Sequence, residues 1–403
     1  LFPYTTLFRS NWIQGVKGNP IERLKEICGL QGKVENRSFV IRNETGNNTT
    51  ERGKMALLKH EEDVLNKMID MRRQMGGADI SARVGLRLTD WLPSNPEEMA
   101  TEYFEYDFEY AVPPKYVSLR AGIANHGIIH SVGGEQFFVT DPRGYVHIVD
   151  CLAGMFLEPG DSRLQLNTTV EEIKWSENGV NVVTDNGDVY NADYALLTFS
   201  IGVLQSGLVT FTPQLPEWKL EAIFKLSMVI YTKIFIKFPS KFWDDEEYIL
   251  YASQRRGYYT MMQNLEADSR LPKGTNILLI TVTEEESVRL AYQSNEKTQE
   301  EIMEVLRGMY GKNIPEPIDI YYPRWGLDRY FFGSWANLPI GISRQDYVNL
   351  QAPVKQVFFA GEATHELYNG YVHGGYLTGV EQAKNIAKHV KTGSFNDENK
   401  AVI

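Results

Sequence analysis

Cysteine is nearly absent from the 403-residue chain: Cys28 and Cys151 are its only two. That is too few for a disulfide scaffold and the wrong spacing for a zinc knuckle, so two unpaired, buried thiols are expected. Long apolar runs are also lacking. The best stretch, residues 194–209, is broken by Thr198, Ser200, Gln205 and Ser206, well short of the roughly 18 apolar residues of a spanning helix. Basic charge is in deficit, with 41 Lys and Arg against 52 Asp and Glu. This argues against a nucleic-acid backbone as partner and permits a cationic ligand. No two glycines are separated by a single residue, so there is no G-x-G-x-x-G loop, and the chain has no Walker loop or G-x-S-x-G elbow. His126 and His130 lie four apart without the glutamate of H-E-x-x-H. They read as core histidines, and no metal is expected.

What is present is an ordinary globular composition, 43% hydrophobic and 23% charged, in a chain long enough for two domains. Apolar spacing predicts helices over 55–75 and from Pro96 to Tyr110, the second stopped by Pro113-Pro114. Short β runs at 163–166, 170–175, 180–184 and 189–199, with Asn178-Gly179 and Asn186-Gly187 turns, predict a small antiparallel insertion. Residues 229–238 predict a strand with Tyr231, Lys233, Phe235 and Lys237 on one face, and 277–282 another strand. A helix is predicted over 299–309. A buried strand at 357–360 runs through a glycine turn to a helix over 376–390, where a helix N-terminus could meet an anionic group.

Five Asn-x-Ser/Thr sequons occur, at Asn36, Asn43, Asn47, Asn48 and Asn167. They favour secretion over a cytoplasmic or peroxisomal location, with Asn36, Asn43, Asn48 and Asn167 as glycosylation candidates. Aromatic residues make up 12% of the chain, and Trp325, Trp335, Tyr368 and Tyr371 gather with the C-terminal glycines. Such rings can stack on a flavin or cage an alkylammonium, although core packing explains any one of them as well. Lys233 also reads as the solvent face of a half-buried strand, and Glu362 as a turn cap. Residue patterns alone support no more than a two-domain mixed enzyme.

The string Val357-Phe358-Phe359-Ala360-Gly361-Glu362-Ala363-Thr364, followed by Tyr368-Asn369-Gly370-Tyr371-Val372-His373-Gly374-Gly375, resembles the C-terminal flavin-binding signature of the FAD-dependent amine oxidases. Tyr231-Thr232-Lys233, Phe242-Trp243, Pro323-Arg324-Trp325 and Asn11-Trp12-Ile13-Gln14-Gly15 are similar to further segments of that family. The likeness is closest to the secreted plant-type polyamine oxidases and runs over 11–389. It implies an α/β (α+β) fold with a discontinuous, Rossmann-like FAD-binding domain over 11–32, 124–224 and 334–390, lacking its N-terminal βαβ unit. A mixed sheet-and-helix substrate-binding domain would occupy 33–123 and 225–333, with 1–10 extraneous and 391–403 a tail.

The resemblance also implies roles. Lys233 falls on the lysine beside the flavin, Tyr371 and Trp335 on its aromatic walls, and Tyr231 and Glu109 beside the substrate, with Glu109 able to hold a distant ammonium. Trp12, Gln14, Tyr110 and Gly370 fall on the substrate tunnel. Gln14 stands where those oxidases place a glutamate, so one fixed negative charge is absent. Gly361, Glu362, Val372, Trp325 and Val170 fall on FAD contacts. The implied reaction is oxidation of spermine or spermidine with dioxygen, giving an aminoaldehyde, an amine and hydrogen peroxide. A monomer without nucleic-acid or membrane partners is expected. Two alternatives stay open: a flavin oxidase for a monoamine, an amino acid or methyl-lysine, and a flavin-free binding protein, because the upstream glycine loop is missing.

Overall fold

The computed structural model describes residues 11–15, 18–35, 37–74, 76, 78–122 and 135–392. They form two compact units: the described residues of the first fall within 11–17, 30–145 and 229–327, and those of the second within 18–29, 146–228 and 328–403.

The first unit is organised by a six-stranded sheet in the order Asp319–Tyr321, Tyr231–Lys237, Ile277–Thr283, Met261–Asn264, Tyr248–Ala252 and Phe39–Asn43. Its pairs are antiparallel except the last, where Tyr248–Ala252 runs parallel to Phe39–Asn43. Every residue of Ile277–Thr283 is buried, as a near-continuous apolar run requires when both faces of a sheet are covered. On one face, Ile234, Ile236 and Ile280 pack with Ile302, Val305, Leu306 and Met309 of the Asn295–Tyr310 helix. On the other, Phe235, Ile277 and Leu279 meet Phe138 and Trp12. These two rings come from a small antiparallel sheet of Trp12–Gln14, Gln136–Val139 and Gly32–Val34.

The second unit holds a four-stranded sheet (Val189–Ala192, Gly179–Thr184, Val170–Ser176 and Thr210–Thr212) and a parallel pair, Ala195–Leu197 with Val357–Phe359. Ile173, Val203, Ile223, Val357 and Phe359 share its core. Lys219 is fully buried there and donates to the Asn349, Leu350 and Ala352 carbonyl oxygens at 2.6, 2.8 and 2.6 Å. Those carbonyls end the Arg344–Gln351 helix, so Lys219 satisfies acceptors that an α-helix cannot satisfy itself. Burial holds its ammonium well below the usual lysine range.

The structure departs from four sequence expectations. Cys28 and Cys151 are not free thiols but a disulfide, with Cα atoms 5.9 Å apart. Cys28 ends the Pro20–Cys28 helix and Cys151 lies in the His147–Ala153 helix, and their packing brings together residues 123 apart in sequence. Residues 163–166 are exposed and non-β, because Arg163 folds back onto the Asp161 carboxylate and the Phe156 carbonyl instead of joining a ladder. The run 189–199 breaks into two strands that enter different sheets. The expected 55–75 helix spans 50–74 in three pieces with a π-helical turn at His60–Leu65. His126, His130, Asn36 and residues 1–10 lie outside the described residues.

His60 is 1% exposed and shares a hydrogen bond with the Tyr106 hydroxyl at 3.1 Å, and burial lowers its pKa to about 4. The sign follows from linkage: below the unfolded value near 6.5 the unfolded chain binds a proton that the folded chain refuses, so stability is present above pH 6.5 and lost as pH falls toward 4. Urea unfolding at pH 7.5 and 4.5 should therefore show an acid loss about 2–3 kcal/mol larger in the wild type than in His60→Gln. Lys219→Met strands three helix-end carbonyls. It should lower stability by roughly 3–5 kcal/mol, read as a fall in the urea midpoint.

Candidate active site

In the first unit, Lys233 stands in mid-strand opposite Thr281. Alternation gives it the same face as Phe235, which packs against Trp12 and Phe138, while its neighbours Ile234 and Thr232 turn the other way. Its Nζ donates to Asn11 Oδ1 at 2.7 Å. Burial lowers the Lys233 pKa to about 7, because a cation is poorly solvated there. Asn11 is buried, and its carbonyl accepts from the Val139 N–H at 2.8 Å, which fixes it at the edge of the small sheet. Sequence reasoning gave Asn11 no role; its place ahead of Trp12 carried no chemical signal.

Trp12 meets Phe138 edge-on at 4.7 Å, and the Arg270 guanidinium lies 5.1 and 4.7 Å from the two rings. Arg270 is ion-paired with Glu247 at 2.5 Å, and both are fully buried. Gln14, two residues on, is half-buried opposite Gln136. Glu109 sits in the short Phe108–Tyr110 turn of helix. The Phe108 ring lies 6.1 Å from Tyr231. Burial, with smaller effects of nearby charge that include Glu109, holds the Tyr231 phenol well above its usual range. Tyr110 is buried and donates to the Gly122 carbonyl at 3.0 Å. Trp325 begins the Trp325–Leu327 turn and is half-buried.

Glu105 was not singled out from sequence, although its position one turn before Glu109 puts both carboxyls on one helix flank. Burial, reinforced by Glu61 and Glu109 and opposed by Arg37, pushes the Glu105 carboxyl up to about 8. Within the first unit, Lys233 bonds Asn11 on the sheet face that Trp12 covers, and Glu109 acts on both Tyr231 and Glu105: an amine that can change charge near neutrality, aromatic rings, and paired carboxyls.

In the second unit, the buried strand Val357–Phe359 leads through Ala360 to Gly361, whose φ of 128° suits glycine. A Cβ at Gly361 would meet nothing within 4 Å, so this flank is open. Glu362 follows. Its Oε1 accepts from the Ala336 N–H at 3.1 Å and its Oε2 from the Gly370 N–H at 2.7 Å. Ala336 follows Trp335 and Gly370 precedes Tyr371, so one carboxyl ties together the two segments that carry the expected aromatic walls. A Cβ on Gly370 would come within 3.0 Å of Trp335 Cδ1, so the loop lies directly on the indole. Burial pushes the Glu362 carboxyl up to about 7 despite its two N–H donors.

The 21-residue helix Val372–Thr392 starts at this loop, one turn earlier than its periodicity suggested. Tyr371 stacks on His373 with ring centroids 5.3 Å apart. Val170 is half-buried at the start of its strand, beside the second unit's core. These residues fit an FAD: Gly361 leaves an open flank, Glu362 has lone pairs for hydroxyl donors, and the helix start offers N–H groups to an anionic portion.

Elsewhere, Asn43 Oδ1 accepts from the Thr45 and Asn47 N–H groups and Asn48 Oδ1 from that of Thr50, whereas Asn167 is exposed. Among the described residues, no group of three His, Cys, Asp or Glu is placed to hold a metal, and no helix is long and apolar enough to cross a membrane.

The model of the family "Flavin containing amine oxidoreductase" matches residues 40–387. Polyamine oxidase 1 of Zea mays is 41% identical over 93% of this chain and 79% of its own length. Polyamine oxidase 6 of Oryza sativa subsp. japonica is 47% identical over 77% of this chain and 64% of its own length. The solved structure of a putrescine oxidase double mutant shares the fold with a TM-score of 0.74 at 17% identity, over 94% of this chain and 87% of that one.

The Glu362 bridge is open to direct measurement. Glu362→Gln sets an amide NH2 against one of the two N–H groups and should cost roughly 1–3 kcal/mol of stability in urea unfolding at pH 8. An unchanged midpoint would mean that both N–H groups have other acceptors.

Proposed function

Because the chain belongs to the flavin containing amine oxidoreductases, which depend on FAD, we propose that it oxidises polyamines. Spermine or spermidine and dioxygen would give an aminoaldehyde, an amine and hydrogen peroxide. The observation that carries the reading is Lys233, an amine held near pKa 7 beside Asn11 on a face that it shares with aromatic residues. The similarity to two plant polyamine oxidases supports it.

FAD, when bound through Gly361, Glu362, Val372 and Val170, supplies the acceptor for a hydride leaving the carbon next to an amine nitrogen. The protein's part is to manage protons and charge. A protonated nitrogen has no lone pair to assist that departure, so the reacting nitrogen must be neutral. Apolar surroundings such as those of Tyr231, Phe108 and Trp12 favour the neutral form by desolvation. Lys233 Nζ, poised near neutrality, can take up a proton while its N–H donation to Asn11 Oδ1 keeps it oriented. Glu109 and Glu105 hold the ammoniums that remain charged. Gln14 in place of a glutamate withholds one anchoring charge, which weakens dication binding or shifts the preferred polyamine.

The amino-acid oxidase alternative needs an arginine facing a carboxylate. Arg324 instead donates to the Ala291 and Gln293 carbonyls and to Asn295 Oδ1 at 3.1, 3.0 and 2.9 Å. Its guanidinium joins the end of one helix to the start of the next. The same proposal places the protein in an oxidising, secretory compartment, a reading supported by the Cys28–Cys151 disulfide and the sequons.

FAD-loaded protein should release hydrogen peroxide on addition of spermine, with kcat/KM rising as pH rises through about 7, where Lys233 loses its proton. Lys233→Met should remove that inflection and lower kcat/KM by about 10²- to 10⁴-fold. A loaded protein that makes no spermine-dependent peroxide would overturn the reading.

A further inference from the structure

His373 is buried behind the Tyr371 ring and is not among the residues assigned a role above. Its imidazole stacks on Tyr371 with an interplanar angle of 24° and meets Tyr368 nearly edge-on at 4.5 Å. On its remaining side, its Nδ1 lies 3.4 Å from Nδ2 of Asn19. Asn19 is the N-cap of the Pro20–Cys28 helix, and its Oδ1 accepts from the Ile21 N–H at 2.9 Å. That bond settles the orientation of the amide: with the oxygen committed to the helix, the group facing His373 is the NH2. The imidazole must then accept at Nδ1 and carry its proton on Nε2. Both side chains are buried, Asn19 at 5% and His373 at 6% exposure.

We propose that Asn19 and His373 are positioning residues that fix the plane of the Tyr371 ring, with Asn19 selecting the neutral imidazole tautomer on which that ring stacks. A protonated imidazole would direct an N–H at the Asn19 NH2, donor against donor, and release the ring from its tether. The groups that face His373 act in the same sense. Burial, and secondarily the neighbouring His365 imidazole, lower its pKa to about 4; the Asn19 amide is neutral, and Tyr368 and Tyr371 present ring surface. Position ties Asn19 to the site as well, since the helix that it caps packs against the Val372–Thr392 helix. The turnover part of the inference rests on the proposed oxidase reading. The coupling of Asn19 to His373 does not.

The test uses the whole chain labelled with ¹³C at histidine Cε1, the His373 resonance being identified by its loss in His373→Gln. Asn19→Asp keeps an oxygen for the Ile21 N–H but replaces the NH2 with a second acceptor. Titration should move His373 from about 4 in the wild type to near or above the ordinary value of about 6.5. Asn19→Ser keeps a helix cap without reaching His373, and should leave the pKa low while broadening the His373 Cε1 resonance. In FAD-loaded protein, Asn19→Asp should add an acidic inflection near pH 6.5 to kcat/KM with spermine, and His373→Gln should lower kcat about tenfold with KM little changed. A His373 pKa that Asn19→Asp leaves in place overturns the coupling whatever the activity. If the pKa moves while the wild-type protein makes no peroxide from spermine, the coupling stands and the oxidase reading falls.

Discussion

One carboxyl holds the second unit's site together. Glu362 accepts from the N–H after Trp335 and from the N–H before Tyr371, so the two backbone segments that carry those rings are held within the span of a single side chain. The arrangement is costly as it stands. A carboxylate has about four lone-pair sites, and two N–H donors do not offset its burial, which is why its pKa rises to about 7. A ligand that brings hydroxyl donors to the open flank at Gly361 would make up the difference. The contrast with Lys219 is informative: three carbonyls surround its buried ammonium, and its work ends with closing a helix. Structural charges here are enclosed by the chain, whereas Glu362 retains capacity for something else.

The regular elements were largely legible because they obey simple periods. The strand at Tyr231–Lys237 shows β-branched and aromatic alternation, and the helix at Asn295–Tyr310 carries Ile302, Val305, Leu306 and Met309 on one stripe. Failures occurred where local pattern met a tertiary decision. Residues 163–166 read as a strand but find no partner beside them. The run 189–199 is apolar enough for one long strand, yet Ala195–Leu197 leaves the antiparallel sheet to lie parallel to Val357–Phe359. Nothing within 189–199 announces that partner, which comes from more than 150 residues away. The disulfide was illegible for the same reason: two cysteines can be paired only once the helices that bear them are packed.

The site was legible in a different manner. Lys233 and Glu362 each had an adequate bland reading, as a solvent-facing strand residue and a turn cap, and only the resemblance of whole motifs raised them above it. The structure then added what motifs do not carry. Asn11 and His373 stand inside the resembling segments and Asn19 and Glu105 outside them, yet for all four the significance lies in the contact made, not in the residue type. Asn19 did have a visible signal, since Asn followed by Pro marks the start of a helix. That signal explains its oxygen and says nothing of its nitrogen.

Under the proposed function, the carboxyls at 105 and 109 solve a problem that a single fixed charge does not. A long flexible cation must be gripped at one nitrogen while another nitrogen sheds its proton, and a strongly negative surround would oppose that loss by stabilising the ammonium. Burial and neighbouring carboxylates hold Glu105 up near pKa 8, so near neutrality it is mostly uncharged until a cation arrives to favour its ionised form. Negative potential is thus supplied where the charged end lies and in response to it. The same logic accommodates Gln14, because an amide there offers hydrogen bonds to a polyamine without adding permanent charge beside the Trp12 rings, on the side of the sheet where Lys233 must remain free to lose its proton.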